Sequence, residues 1–350
     1  MRRGAGRRFA AMLGCLLAAP AACGAPPPPP VTGPTTTVVN CGVPTAFPAP
    51  AHRLFVNDGN MISIALALGA GDQVAAISSL GPDGPLLRRH YGADALDRLR
   101  VATPEQPALE IVLAARPDVM VAGWGYSYSE ATGLTPDRLR RAGIAPYTLT
   151  ESCRQHDGTK ERGLVDPWTA VRDDVTNLGI ITGRTGRASE INSDIDRRRA
   201  ALRAAPPPAP PVTVFLFDSA SDTVFTSGRF GGPEAIITAA GARNATSDVA
   251  DSWVRVSWER VVQSRPDVFA FVDYPPQSFG QKVAMLRSRG GVKDLPSIVA
   301  GRFLNLSYSM WTAGPLNIDA AEQLRAALEQ WGLAPPSGIR PRFPEDRLTG

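Results

Sequence analysis

The chain has 350 residues, of which 43% are hydrophobic and 20% charged, enough for about two globular domains. Its formal charge of +4 is concentrated at the start, where Arg2, Arg3, Arg7 and Arg8 lie among 22 residues that contain no acid. Without those four, 33 basic residues face 33 acidic ones, and with no Lys/Arg stripe the balance argues against nucleic acid as a partner.

MRRGAGRR is a charged leader, and FAAMLGCLLAAPAA is an apolar run too short to span a bilayer. Together they predict an export signal over residues 1–22. Ala21-Ala22-Cys23-Gly24, small residues before a cysteine, resembles the lipobox of bacterial lipoproteins, although Pro20 stands where that motif prefers leucine. The resemblance implies acylation of Cys23 and a chain anchored by lipid on the outer face of the cytoplasmic membrane. Cys15 is the poorer acylation point because its apolar run would be too short; an ordinary cleaved signal is the alternative. GAPPPPPVTGPTTT then reads as an extended tether, assigned here to residues 23–49. Cys41 and Cys153 are left in the mature chain, and two cysteines in an exported protein are expected to pair.

From residue 50, HRLFVNDGN reads as a strand entering a turn, and MISIALALGAGDQVAAIS as helix, glycine turn and strand. The phrase ALEIVLAARPDVMVAG follows. Proline disfavours helix at the residue before it, so the helix ends near Arg116. The apolar run after Pro-Asp lacks polar alternation, as in a parallel strand covered on both faces. The phrase nearly recurs: Ala115–Gly123 is ARPDVMVAG and Ser264–Val272 is SRPDVFAFV, with the second helix ending near Arg265. In each copy a glutamate precedes the aspartate by eight residues, Glu110 before Asp118 and Glu259 before Asp267. A helix returning into a buried strand is half of a crossover unit, so two copies predict two α/β lobes.

Asp166-Pro167 opens a helix carrying Trp168, Val171, Val175 and Leu178 at helical spacing. After Thr182-Gly183, Thr185 is expected to cap a second helix with Ala188, Ile191 and Ile195 on one face, stopping at APPPAPP. TVFLFDS starts a new sheet, followed by the Gly-rich TSGRFGG, the helix PEAIITAAGARN and the second phrase. RFLNLSYSMWTAGP is a last strand and loop, AAEQLRAALEQWGL a closing helix, and the Pro-rich tail is expected to be irregular.

The order of RLFVN, ALALGAGDQVAAIS, ALEIVLAARPDVMVAG, NLGIITGRTGRASEI, TSGRF, AAGARNA, SWVRVSWERVVQSRPDVFAFV and GRFLNLSYSMWTAGP resembles the substrate-binding proteins of ABC importers for iron–siderophore complexes and cobalamin, over roughly residues 50–332. The resemblance implies two three-layer α/β/α lobes with mostly parallel sheets, joined by one long spanning helix, with the ligand in the cleft between them. It divides the chain into a first lobe at 50–184, a spanning helix at 185–205, a second lobe at 206–335 and a tail at 336–350. It further implies a monomer, no cofactor beyond iron carried in the chelate, and a membrane permease as partner. In that family a glutamate at this place in each lobe docks on permease arginines, a role that falls here on Glu110 and Glu259; helix-end stabilisation by a first-turn carboxylate is the plainer alternative.

Ligands in open parallel sheets bind beyond the carboxyl ends of strands, a rule that selects candidate loops without the family. After the first phrase come Trp124, Tyr126 and Tyr128; after the second comes Tyr274; the last strand delivers Tyr308, Met310 and Trp311. Trp253 precedes the second helix, and Arg229 sits on a Gly-rich turn before a helix, where it is either an anion contact or a solvated turn residue. Aromatic walls of this kind suit a bulky chelate, and a ferric siderophore is the expected ligand, with cobalamin or haem as alternatives. His52, His90 and His156 lie on separate segments without metal-ligand spacing. GxSxG, P-loop and HExxH motifs are absent, so an enzyme is not expected; a purely structural surface lipoprotein would show no saturable ligand binding.

Overall fold

The structure, a computed structural model, describes Met1, residues 33–156 and residues 158–343. Cys15, Cys23, the rest of the signal segment and the first part of the tether lie outside the described residues, as does the end of the tail from residue 344.

Each lobe is built on a parallel sheet. In the first, strands Val101–Thr103, Val74–Ser78, Leu54–Asn57, Val119–Trp124 and Ala145–Thr148 lie side by side in that order. In the second the order is Arg243–Asn244, Thr213–Phe217, Val268–Asp273 and Phe303–Ser307. A smaller antiparallel sheet of Ser219–Ala220, Val224–Ser227 and Trp253–Val256 stands beside the second. The strands after the two Pro-Asp pairs are buried along nearly their whole length, as their unbroken apolar runs require.

Alternation along those strands explains the layers. Met120 and Ala122 pack with Phe55 and Val112 under the outer helices of the first lobe, and Phe269 and Phe271 pack with Phe215, Phe217 and Trp258 in the second. The intervening residues, Val119 and Val121 or Val268, Ala270 and Val272, enter one apolar core common to both lobes. The lobes therefore share a floor beneath their cleft.

The repeated phrase has the same local physics twice. Helices Leu109–Ala115 and Trp258–Ser264 end at Arg116 (φ 49°) and Arg265 (φ 42°), both left-handed immediately before proline. The aspartate that follows fixes the central strand against the first strand of its lobe. Asp118 accepts from the backbone N–H groups of His52 (2.7 Å) and Arg53 (3.1 Å) and donates its own N–H to the Arg53 carbonyl. Asp267 does the same with Thr213, accepting at 2.8 Å and donating at 2.8 Å.

The helix Thr185–Ala204 occupies the span assigned to the lobe connection, and its 20 residues reach about 30 Å. Arg187 Nε donates to the Ala67 carbonyl in the first lobe, and Arg198 is held by Asp319 (2.6 Å) and Glu322 (2.7 Å) in the second. Thr185 does not cap it: Arg184 occupies the cap position without a side-chain cap bond, because Gly183 at φ 71° has already turned the chain and Thr185 is inside the first turn.

One further expectation is corrected. Residues 35–48, assigned to the tether, form an antiparallel hairpin of Thr35–Asn40 and Val43–Pro48. Its β-branched runs flank Cys41 and Gly42, both at positive φ, which is the backbone of a tight two-residue hairpin turn. Asn40 exchanges two hydrogen bonds with Thr148 on the lobe's edge strand, Phe47 packs on Tyr147, and Cys41 is disulfide-bonded to Cys153 as expected. The tail to Phe343 is irregular but not loose: Arg342 pairs with Asp194 through two bonds of 2.8 and 2.7 Å, and the Phe343 ring lies 4.0 Å from that of His90.

Candidate functional site

Where the two sheets present their carboxyl ends to each other, they enclose a cavity of about 270 Å³. Most of its wall is the first residue or two after a parallel strand: Asp58, Gly125 and Tyr126 from the first lobe, and Asp218, Ser219, Tyr274, Pro275 and Tyr308 from the second. This is the placement that open parallel sheets give to ligands. The antiparallel sheet adds Phe225, Trp253 and Arg255, and Arg162 reaches in from the segment before helix Pro167–Ile181.

The two walls are held by a residue the sequence reading missed. Glu151, from the turn Thr150–Ser152 of the first lobe, is fully buried and accepts four hydrogen bonds. Tyr126 Oη (2.7 Å) and Trp253 Nε1 (2.8 Å) donate to Oε1, while the backbone N–H groups of Gly232 (2.9 Å) and Ala313 (3.1 Å) donate to Oε2. Three of these donors belong to the other lobe. Burial raises the carboxyl's pKa, and the Tyr126, Trp253 and Gly232 bonds oppose that rise. Arg162 makes a parallel tie, donating at 3.0 Å to the Trp124 carbonyl on one side and at 3.0 Å to that of Trp253 on the other.

Acidic groups sit at the strand ends. Asp58 is 1% exposed, and burial, reinforced by the Asp83 carboxyl, pushes it up to about 8. Its backbone, at φ 59° and ψ 150°, lies in a region nearly confined to glycine. Gln106 donates to it at 3.2 Å, oriented by Ser127, whose hydroxyl donates to the Gln106 carbonyl oxygen. Asp218 is also raised by burial, with Ser219, Lys282 and Arg255 acting in the opposite direction. Lys282, buried and lowered by that burial, donates to the carbonyls of Val272 (2.5 Å) and Tyr274 (3.1 Å), fixing the strand end that carries Tyr274. The Tyr274 and Tyr308 rings stand 4.5 Å apart, and Trp253 packs on Phe225 at 5.7 Å.

Of the eight candidate ligand residues, Tyr126, Trp253, Tyr274 and Tyr308 line the cavity. Four do not. Gly125, at φ 79°, turns the chain so that Trp124 lies on the flank, with the Arg154 guanidinium 3.5 Å above its ring. Tyr128 is in the first lobe's outer core, its hydroxyl donating to backbone carbonyls of Met120 and Tyr147. Trp311 is carried by the four-residue helix Tyr308–Trp311 into the shared core, where its Nε1 donates to the Phe271 carbonyl at 3.0 Å. Arg229 is exposed, resting over Phe230; the helix N-terminus it precedes already has an anion in the Glu151 carboxylate. Asp58 and Asp218 were legible as acids directly after buried strands, in LFVND and FLFDS. Nothing local marked Glu151 or Arg162.

Glu110 and Glu259 are both exposed and occupy the same place in the first turns of their helices. The Ser257 side chain holds the Glu259 carboxyl below its usual range. A larger cavity, about 620 Å³, runs along the spanning helix beside Asp194, Arg198, Asp319 and Phe343, and it touches no strand end. Among the described residues no three His, Cys, Asp or Glu side chains are grouped to hold a metal ion, and no helix is long and apolar enough to cross a membrane.

The family model described as "Periplasmic binding protein" matches residues 58–285, from the first cleft acid to the helix that carries Lys282. No curated protein matches the chain in sequence. Among solved structures, a periplasmic binding protein from Veillonella parvula superposes with a TM-score of 0.69 at 22% identity, covering 85% of this chain and 98% of that one. A structure from Saccharomonospora viridis titled as an ABC-type Fe3+-hydroxamate transport system gives 0.69 at 21% identity, covering 84% and 98%. A periplasmic heme binding protein from Pseudomonas aeruginosa gives 0.60 at 20% identity, covering 82% and 95%. At these identities the superpositions establish a shared fold, and the family match reaches into both lobes and covers their connecting helix and every cleft-wall residue except Tyr308. The chain belongs to the periplasmic binding protein family.

Proposed function

We propose that the protein is the extracytoplasmic substrate-binding component of an ABC importer, taking a ferric siderophore of hydroxamate type into the cleft and delivering it to a membrane permease. The observation that carries this reading is the cavity itself. It lies at the carboxyl ends of both parallel sheets and is walled by Tyr126, Trp253, Tyr274 and Tyr308, side chains that stack on or pack against a bulky chelate. Its volume of about 270 Å³ lies just below the usual range of small-molecule sites, which disfavours a corrin. The likeness to the Saccharomonospora viridis structure points the same way.

In this reading Cys23 carries the lipid anchor, the residues after it tether the lobes to the membrane, and Glu110 and Glu259 meet arginines of the permease. Their equivalent, exposed placement on the two lobes supports a two-point contact. Tryptophan-fluorescence titration with a ferric trihydroxamate, haem and cobalamin tests the ligand: saturable quenching by the ferric chelate alone is expected, and tight binding of cobalamin or haem alone assigns the cleft to that ligand instead. Reversal of both glutamates to lysine is expected to abolish uptake in cells and leave affinity in solution unchanged.

A further inference from the structure

Within the cleft, Asp58 stands apart from the other charged groups. Asp218 is opposed by Lys282 and Arg255, and Glu151 by four hydrogen-bond donors. The neighbours acting on Asp58 are Asp83, which opposes its charge, and the amides of Gln106 and Asn57; none of these is a cation. The carboxyl is nevertheless almost wholly removed from solvent, lines the cavity, and sits on a backbone conformation nearly confined to glycine. Such a conformation persists where the surroundings hold the residue in place, here by helix Gly59–Ala67 behind it and Gly59 packed against Asp83.

The opposite wall at this end is aromatic. Tyr274 and Tyr308 stack at 4.5 Å, and the charged groups that act on Tyr274 are Asp58, Asp83 and Asp218. The cavity's two guanidiniums are engaged elsewhere, Arg162 on the carbonyls of Trp124 and Trp253 and Arg255 over the Phe225 ring. A buried carboxyl with no cation among the groups acting on it, in one cavity with two tyrosine rings whose quadrupoles attract cations, is the chemistry that receives an ammonium group.

We propose that the Asp58 end of the cleft is a subsite for a protonated amine, and that the ligand is a chelate carrying such an amine, held between Asp58 and the Tyr274–Tyr308 pair. The inference rests on the siderophore reading and narrows its substrate class. Beside Asp83 and Gln106, in a cavity also lined by Tyr126, Arg162, Asp218, Arg255, Tyr274 and Tyr308, the Asp58 carboxyl keeps its proton near neutral pH until a cation joins it. An ammonium arriving beside it supplies the missing counter-charge, the carboxyl ionises, and its proton passes to solvent. Binding therefore releases up to one proton.

Two ferric chelates test this on the wild-type protein: a linear trihydroxamate ending in a primary amine, and the same chelator with that amine acetylated. The amine form is expected to bind at least about tenfold more tightly, the effect of an opposite charge that moves a carboxyl's pKa by a unit or more. Its binding heat should also depend on the ionisation enthalpy of the buffer, and the acetylated form's should not. In Asp58→Asn, whose fold is checked by thermal melting, the preference is expected to vanish while the acetylated chelate still binds. Equal binding of the two chelates to wild type, or a preference that survives in Asp58→Asn, overturns the amine subsite and leaves the siderophore reading standing. Binding of neither chelate overturns both.

Discussion

The two lobes use one scaffold phrase and face the cleft with different chemistry. In both, a left-handed arginine before proline ends a helix, and an aspartate ties the next strand to the first strand of the lobe. Beyond the strands the likeness stops. The first lobe offers Asp58, Gln106, Tyr126 and Arg162, a polar wall with charges of both signs; the second offers Trp253, Phe225, Tyr274 and Tyr308, a largely aromatic one with Asp218 and Arg255 beside it. Residues inside the strands answer to packing in a common core, so they can be the same twice. Residues after the strands are free of that demand, and two unlike walls suit the proposed ligand if its two sides differ.

The comparison breaks most severely at Glu151, the point where the first lobe holds the second. Glu151→Ala strands the hydroxyl of Tyr126, the indole N–H of Trp253 and two backbone N–H groups in a buried setting. A loss of about 3–5 kcal/mol in denaturant unfolding is expected. Glu130→Ala, which removes only an exposed pair with Arg154, should cost under about 1 kcal/mol. A small effect at Glu151 would mean that the lobes do not depend on this contact.

The equivalence of the scaffolds is tested by Asp118→Ala and Asp267→Ala. The first removes a carboxylate that accepts from two backbone N–H groups and the second one that accepts from a single N–H, and each should destabilise by about 1.5–3 kcal/mol. Loss at one site only would show that the repeated phrase serves different ends in the two lobes.

The difference between the walls is sharpened by a pair of tryptophans. Trp253→Ala should weaken chelate binding by about 1–3 kcal/mol, as for truncation of a buried aromatic anchor, while Trp124→Ala, on the flank under Arg154, should leave affinity nearly unchanged. Titration of the two variants decides it. The pH profile tests the acidic group of the first wall. Asp58 is raised from 3.8 to about 8 on folding, so the folded protein binds this proton more tightly than the unfolded chain. Its contribution to stability is full below pH 4 and is lost as pH rises toward 8. The stability of wild type relative to Asp58→Asn should therefore fall across that window, and a parallel pair of profiles would remove Asp58 from the titration.

Much of this arrangement was written locally in the sequence. Pro-Asp before an unbroken apolar run marks a helix end and a buried strand through the backbone of proline alone, and the spanning helix shows its spacing from Ala188 to Ile195. Tyr274 and Tyr308 were legible because each directly follows such a strand. Trp124 and Tyr126 were not distinguishable, since their directions depend on a positive φ at Gly125. The hairpin at 35–48 was hidden by its prolines, and its Thr/Val runs become strands only against the edge of the first lobe. Glu151 could not be read at all: three of its four partners lie 81, 102 and 162 residues further along the chain, and only the packed lobes bring them together.

The central claim is that ligand is held between the two walls of this cleft. A fluorescence titration of a ferric trihydroxamate into wild type and the Tyr274→Ala/Tyr308→Ala variant, with melting curves for both, tests it most directly. Saturable quenching in wild type that is lost or weakened by at least about tenfold in a variant that still folds is the predicted result, since two neighbouring aromatic contacts are removed together. An affinity unchanged by the double substitution would place the ligand elsewhere and contradict the account.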